Sequence, residues 1–315
     1  MKRRVLVTGG AGFIGSHVAD AFLASGYDVT VIDNLSRGRE ANVPKAAEFR
    51  RLDLGSPEAR ALVAGGRFDV IAHLAAQVDV RVSVSDPVLD ARENLMAFLN
   101  LLEGARAGGT RRLVFSSSGG VVYGERKPPH VETTPKLPVS PYGVSKLAAE
   151  FYLACYAQLF GLEGAALRYA NVYGPRQDPH GEAGVVAIFS ERLYEGRGLT
   201  VYGNGEQTRD YVFVGDVVGA NLALTDAALP SGEGIDARGF NVGTGEETTV
   251  NQLAAVMMDV AGRRVDVSYA PARPGELQNS SLNNTRLRSL GWAPATSLRE
   301  GLRRTYEYIA AQLQA

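Results

Sequence analysis

The chain is poor in several things whose absence narrows what it can be. It has one cysteine, Cys155, so no intramolecular disulfide can form, which suits a reducing, cytoplasmic compartment. Its 33 Lys and Arg against 34 Asp and Glu leave a formal net charge of −1, with no basic excess to attract nucleic acid or an anionic membrane. No stretch approaches the roughly 18 consecutive apolar residues that mark a membrane-spanning helix. The basic start Lys2-Arg3-Arg4 leads into an apolar run that breaks at once into glycine, so it reads as a first strand, not a signal peptide. The four histidines, His17, His73, His130 and His180, are scattered without metal-ligand spacing, and no metal is expected. His73 ends an apolar strand and reads as a core histidine. Cys155 falls in an expected helix, where a packed thiol is the simpler reading than a nucleophile. Against these absences stand 315 residues with 45% apolar content, enough for a sizeable core in one large domain or two smaller ones.

Glycine is plentiful, and its placement is informative. Residues 4–8 read as a short buried strand that runs into Gly9-Gly10-Ala11-Gly12-Phe13-Ile14-Gly15 and then a helical stretch, 16–25. A second strand, 28–32, ends at Asp33. A glycine-rich turn between strand and helix lets a pyrophosphate approach the backbone and the N-terminus of that helix. Gly15 lets the helix sit close to the sheet. Asp33 lies where an acidic side chain can bind a ribose 2′-hydroxyl, which favours NAD over a 2′-phosphorylated cofactor. The spacing is G-x-x-G-x-x-G, not the commoner G-x-G-x-x-G.

A second constellation lies mid-chain. Tyr142 and Lys146 stand four apart just after Pro141. Proline favours the first turn of a helix, so both side chains project from one helical face. A phenol is a poor base, with a pKa of roughly 10, but a nearby ammonium favours the phenolate. Such a pair can take a proton from an alcohol. The strand 112–118 ends in Ser116-Ser117-Ser118, at the carboxyl edge where open α/β sheets bind ligands. Strands and helices alternate through residue 169, which predicts a doubly wound parallel sheet with helices on both faces. Beyond Asn171 the pattern loosens. Residues 199–205 and 208–214 suggest a strand, a turn and another strand, and 298–313 an amphipathic helix.

These motifs together resemble the extended short-chain dehydrogenases/reductases, the NAD-dependent epimerase/dehydratase family, and within it the branch typified by UDP-glucose (UDP-galactose) 4-epimerases. The resemblance also takes in Asp33-Asn34-Leu35-Ser36-Arg37-Gly38, Asp53-Leu54, His73-Leu74-Ala75-Ala76-Gln77 and Asn94. It continues through Arg168-Tyr169-Ala170-Asn171, Gln207-Thr208-Arg209-Asp210-Tyr211, Asp216-Val217 and Arg273-Pro274-Gly275-Glu276.

The resemblance implies a Rossmann-type cofactor domain of 1–170 plus about 209–242, interleaved with a smaller α/β nucleotide-sugar domain of about 171–208 plus 243–315. It implies NAD held by Gly9, Gly12, Phe13, Ile14, Gly15, Asp33, Asn34, Leu35, Ser36, Arg37, Gly38, Asp53, Leu54, Leu74, Ala75, Ala76, Gln77, Asn94, Ser116, Tyr142, Lys146 and Tyr169. A sugar nucleotide would lie against Ser118, Tyr142, Asn171, Val185, Arg209, Arg273 and Glu276, the two arginines holding its diphosphate. Asn94 and Asp53 also suit a helix cap or turn.

The implied reaction is transient oxidation at C4 of the sugar, with Tyr142 as base, Lys146 beside it and Ser118 (or Ser117) relaying the proton. UDP-glucose and UDP-galactose are the expected pair. UDP-glucuronate 4-epimerisation, 4,6-dehydration, decarboxylation and a non-catalytic NAD-binding sensor or scaffold are the rivals. Family dehydratases carry Asp-Glu after the catalytic hydroxyl residue, and the decarboxylase branch a Glu. Here Gly119-Gly120 stand there, which favours epimerisation. A homodimer is implied through helices 87–107 and the one after Pro141, whose apolar positions include Leu95, Phe98, Leu99, Leu102, Leu147, Phe151 and Leu153.

Overall fold

Seven strands form one parallel sheet in the computed structural model, which describes residues 2–180, 184–272 and 277–314. They are β1 (Arg4–Thr8), β2 (Asp28–Asp33), β3 (Glu48–Arg51), β4 (Val70–His73), β5 (Arg112–Ser118), β6 (Glu163–Tyr169) and the late strand Gly239–Val242. Their spatial order is β3-β2-β1-β4-β5-β6 and then Gly239–Val242, every neighbouring pair parallel. The order reverses between β1 and β4, so a crevice opens there at the carboxyl ends.

Successive side chains on a strand face opposite sides, so a strand covered on both faces must be apolar throughout. Along β1, Val5 and Val7 pack with Val18 and Phe22 of the helix Phe13–Ala24. Leu6 faces the other layer with Phe98, Leu101, Leu102 and Leu153. The helix Val214–Asp226 packs beside Phe13–Ala24, where Val218 and Leu222 join the same cluster.

The helix Pro141–Phe160 shows why its sequence starts and stops where it does. The Ser140 hydroxyl accepts the Gly143 N–H at 3.2 Å, Pro141 occupies the first turn, and Gly161 ends the helix at φ +71°. The long helical stretch expected over 87–107 is interrupted. It comprises Pro87–Ala91, a π-helical turn Arg92–Met96, and Ala97–Gly108.

The strand, turn and strand expected over 199–205 and 208–214 form as Leu199–Tyr202, Thr208–Arg209 and Tyr211–Phe213. Leu199–Tyr202 pairs in parallel with Val267–Ala270, and Tyr211–Phe213 with Asn171–Tyr173, partners of which the local pattern carries no record. Two expectations need correction. Cys155 is exposed, because it lies one helical turn beyond Phe151 on the outer face of Pro141–Phe160. Of the apolar positions expected at a subunit interface, Phe98, Leu102 and Leu153 are buried in the chain's own core. No helix among the described residues is long and apolar enough to cross a membrane.

Candidate active site

The glycine turn follows β1 and opens Phe13–Ala24. Gly9 has φ +71°, a left-handed conformation that glycine adopts without penalty. An added methyl at Gly15 would stand 2.1 Å from the Gly9 carbonyl oxygen, and one at Gly9 would stand 2.6 Å from the Ala75 nitrogen. The turn therefore tolerates no side chain at either place. Gly12 caps the helix without a side-chain acceptor, so the amides of its first turn are available to an anion. At the end of β2, Asp33 accepts the Ala11 N–H on Oδ2 at 3.0 Å and the Leu35 N–H on Oδ1 at 2.8 Å. Each carboxylate oxygen retains acceptor capacity for a ribose hydroxyl. Asn34 donates to Asp53 at 3.1 Å, and Asp53 accepts the Gly55 N–H at 2.8 Å. Leu54 is buried behind them. Gly38 sits against Ala11, Ser36 turns on Asn34, and the Arg37 side chain lies 3.7 Å from Asp79.

Thr8 joins β1 to β4. Its hydroxyl is 2.7 Å from His73 Nδ1 and accepts the Leu74 and Ala75 N–H groups at 3.3 Å. His73 stacks on Phe98 and Phe115, and burial, with the Lys146 charge adding to it, holds it well below the usual histidine range. It is a neutral core histidine. Asn94 holds Gln77 at both ends of its peptide, accepting its N–H and donating to its carbonyl, each at 2.9 Å. Asn94 is thereby committed to fixing the segment 74–77, which includes Ala76. Tyr169, at the end of β6, is buried with its hydroxyl accepting from Asn221 at 2.9 Å, so its phenol points into the core.

The chemistry gathers at the end of β5. Lys146 is buried, and its ammonium donates to the Ser116 carbonyl at 2.9 Å. It also lies 5.8 Å from the centre of the Tyr142 ring and 4.9 Å from that of Phe115. Burial draws it down to about 8, against Asp90 and Glu150, which push it back up. Strand alternation separates the serines. Ser117 is buried and donates to Glu150 at 2.5 Å, whereas the Ser118 hydroxyl has no hydrogen-bond partner among the described residues. Glu150 is one turn beyond Lys146 and pairs with Arg168 of β6, both side chains fully enclosed. Arg168 also donates to the Tyr123 hydroxyl at 3.0 Å and the Glu132 carbonyl at 2.9 Å.

Gly119 follows Ser118 with its α-carbon against Leu282, where an added methyl would meet Leu282 Cδ1 at 2.6 Å. Asn171 is exposed on its strand, Val185 opens the helix Val185–Glu195, and Arg209 is half-buried. Asp210, beside Arg209, is spent on structure, accepting from Thr244, Gly245 and Leu282. Arg273 and Glu276 lie outside the described residues. Glu150, Asp90 and Ser145 escaped the sequence reading. The repeat 142, 146, 150 along one helix face was the available signal for Glu150.

A glycine cradle, an acid at the end of β2 and a phenol–ammonium pair beside a strand-end hydroxyl define a dinucleotide-dependent oxidoreductase-type site. The comparisons sharpen that class. Residues 5–243 match the profile of the NAD dependent epimerase/dehydratase family. A UDP-glucose 4-epimerase from Mycolicibacterium smegmatis is 45% identical over 320 aligned positions, covering 99% of this chain and all of that one. A UDP-glucose 4-epimerase from Thermotoga maritima, solved with UDP-glucose, superposes with a TM-score of 0.94 at 44% identity, covering 98% of this chain and 99% of the other. One from Thermus thermophilus, solved with NAD, gives a TM-score of 0.88 at 48% identity over 97% and 98% of the two chains. The chain belongs to the NAD dependent epimerase/dehydratase family.

Proposed function

We propose that this protein epimerises C4 of a nucleotide sugar, with UDP-glucose and UDP-galactose as the substrate pair. The observation that carries the reading is the trio Ser118, Tyr142 and Lys146 beside two glycines. NAD supplies a reversible hydride acceptor when bound, and Gly9, Gly12, Gly15 and Asp33 suit it. Tyr142 takes the proton from the 4-hydroxyl, with Lys146 favouring its phenolate. Ser118, uncommitted to the fold, holds the sugar oxygen and relays the proton. Turning of the keto sugar before its reduction inverts C4. Elimination of water needs a further acid and base, and neither Gly119 nor Gly120 has a side chain to serve. Asn171, Val185, Arg209, Arg273 and Glu276 are the proposed sugar-nucleotide contacts.

UDP-galactose deuterated at C4 of its sugar is expected to give UDP-glucose with the label retained and no net NADH. Stoichiometric NADH would make the protein a dehydrogenase. A 4-keto-6-deoxy sugar would make it a dehydratase, and a pentose product from UDP-glucuronate a decarboxylase.

The proposed cofactor part is 1–170 plus 209–242 and the substrate part 171–208 plus 243–315. The core cluster around Phe189, Leu193, Leu253 and Leu302 supports the substrate part, although Tyr211, Phe213 and Val214 pack within it and Leu287 and Trp292 pack with the sheet. We place the protein in the cytoplasm, where a chain with one thiol loses nothing. We also propose a homodimer. Val88, Met96, Val144, Phe151 and Leu159 are 75%, 60%, 54%, 57% and 65% exposed on the two helices concerned, and Cys155 lies on the Phe151 face. Light scattering at micromolar concentration should return twice the chain mass, and a monomer there would rule the dimer out.

A further inference from the structure

The short helix Pro87–Ala91 carries a carboxylate that the mechanism above does not use. Asp90 is wholly buried. A buried carboxylate stays charged only where donors surround it. Three do so here. Oδ2 accepts the Ser145 hydroxyl at 2.6 Å, and Oδ1 accepts Asn94 Nδ2 at 2.8 Å and Gln77 Nε2 at 3.2 Å. Ser145 precedes Lys146 on the catalytic helix. Gln77 closes the segment 74–77 that lies against the glycine turn, since Ala75 crowds Gly9. The hydrogen bonds of one carboxylate thus join the two walls of the site.

Charge adds a second argument. The groups facing Lys146 are Tyr142 and Glu150 on its own helix, Phe115 and the Ser116 carbonyl on β5, neutral His73 on β4, and Asp90. Glu150 is already engaged by Arg168. Asp90 has no such cation within ion-pair distance among the described residues.

We infer that Asp90 is a positioning residue, clamping the Tyr142–Lys146 helix to the cofactor segment through Ser145 and Gln77. The Asp90 charge also favours the Lys146 ammonium. The inference rests on the reading of Lys146 as the partner of Tyr142.

The test uses the NAD-loaded protein with isotopically labelled lysine, the Lys146 resonance being assigned by its loss in Lys146→Met. In the parent protein Lys146 should titrate below the usual lysine range, because it is buried. In Asp90→Asn, which keeps the shape and removes the charge, the midpoint should fall by about one pH unit. The alkaline limb of turnover should move with it. Ser145→Ala keeps the charge and breaks the clamp. It should lower turnover by about fivefold to tenfold without moving that limb, and Ser145→Thr should restore the rate. An unshifted Lys146 titration in Asp90→Asn would overturn the inference. So would parental turnover in Ser145→Ala, which decides the matter alone if Asp90→Asn does not fold. The NMR titration needs no sugar. A parent protein inert toward UDP-sugars would therefore sink the epimerase reading and leave this test standing.

Discussion

Replacing Tyr142 with phenylalanine is expected to lower turnover by about 10²–10⁴-fold, the usual contribution of a general acid–base group. The ring is 9% exposed and keeps its packing, because only the hydroxyl is lost. Lys146 keeps its bond to the Ser116 carbonyl. Fold and bound NAD should therefore survive, and the loss should fall on kcat for UDP-galactose conversion. Turnover within a few-fold of the parent would remove Tyr142 as the base. The same assay separates the serines. Ser118→Ala should cost rate at unchanged stability, since that hydroxyl supports nothing in the fold. Ser117→Ala should cost stability, since it breaks the bond to Glu150. A larger rate loss in Ser117→Ala at unchanged stability would pass the role to Ser117.

Removing the Glu150 carboxylate is expected to be the most destabilising single change among those considered. Glu150→Ala strands the Arg168 guanidinium in a site with no solvent access, with only the Tyr123 hydroxyl, the Glu132 carbonyl and Asp236 at 3.6 Å as partners. Breaking one side of a buried ion pair costs about 3–5 kcal/mol, chiefly because a charge is left uncompensated. Urea unfolding of the NAD-saturated protein measures it. Glu103 is the control, because its pairs with Arg60 and Arg106 are at the surface. Glu103→Ala should cost less than about 1 kcal/mol. Replacing both Glu150 and Arg168 with apolar residues should recover much of the loss, because neither charge of the enclosed pair then has to be desolvated. A Glu150→Ala cost no greater than that of Glu103→Ala would mean that the pair does not brace the end of β5.

Much of this was legible in the chain because it is local. The strand–glycine–helix run needs only neighbouring residues, since steric space at Gly9 and Gly15 and the amides of one helix end make the cradle. Asp33 follows from the length of one strand–helix–strand unit. Tyr142 and Lys146 follow from the helical repeat and from a serine and proline that start the helix. The buried strands announce themselves as unbroken apolar runs, because both faces of the sheet are covered.

Other features were illegible because they depend on what lies far away in sequence. Strand pairing in the smaller part joins 199–202 to 267–270 and 171–173 to 211–213, and each strand alone is compatible with several partners. The outward aim of Cys155 and the inward aim of Phe98 and Leu153 depend on which helical face meets the sheet. The choice between Ser117 and Ser118 depends on Glu150 and Arg168 meeting under one of them.

The sequence by itself determined the doubly wound sheet, the dinucleotide cradle and the phenol–ammonium pair, since each is written in short-range spacing and backbone sterics. Only the tertiary structure decided which polar groups are spent on holding the site and which stay available for chemistry. Burial and hydrogen-bond partnership are properties of surroundings assembled from distant segments. Asp90, brought by folding against Ser145 and Gln77, has no signature of its own in the chain.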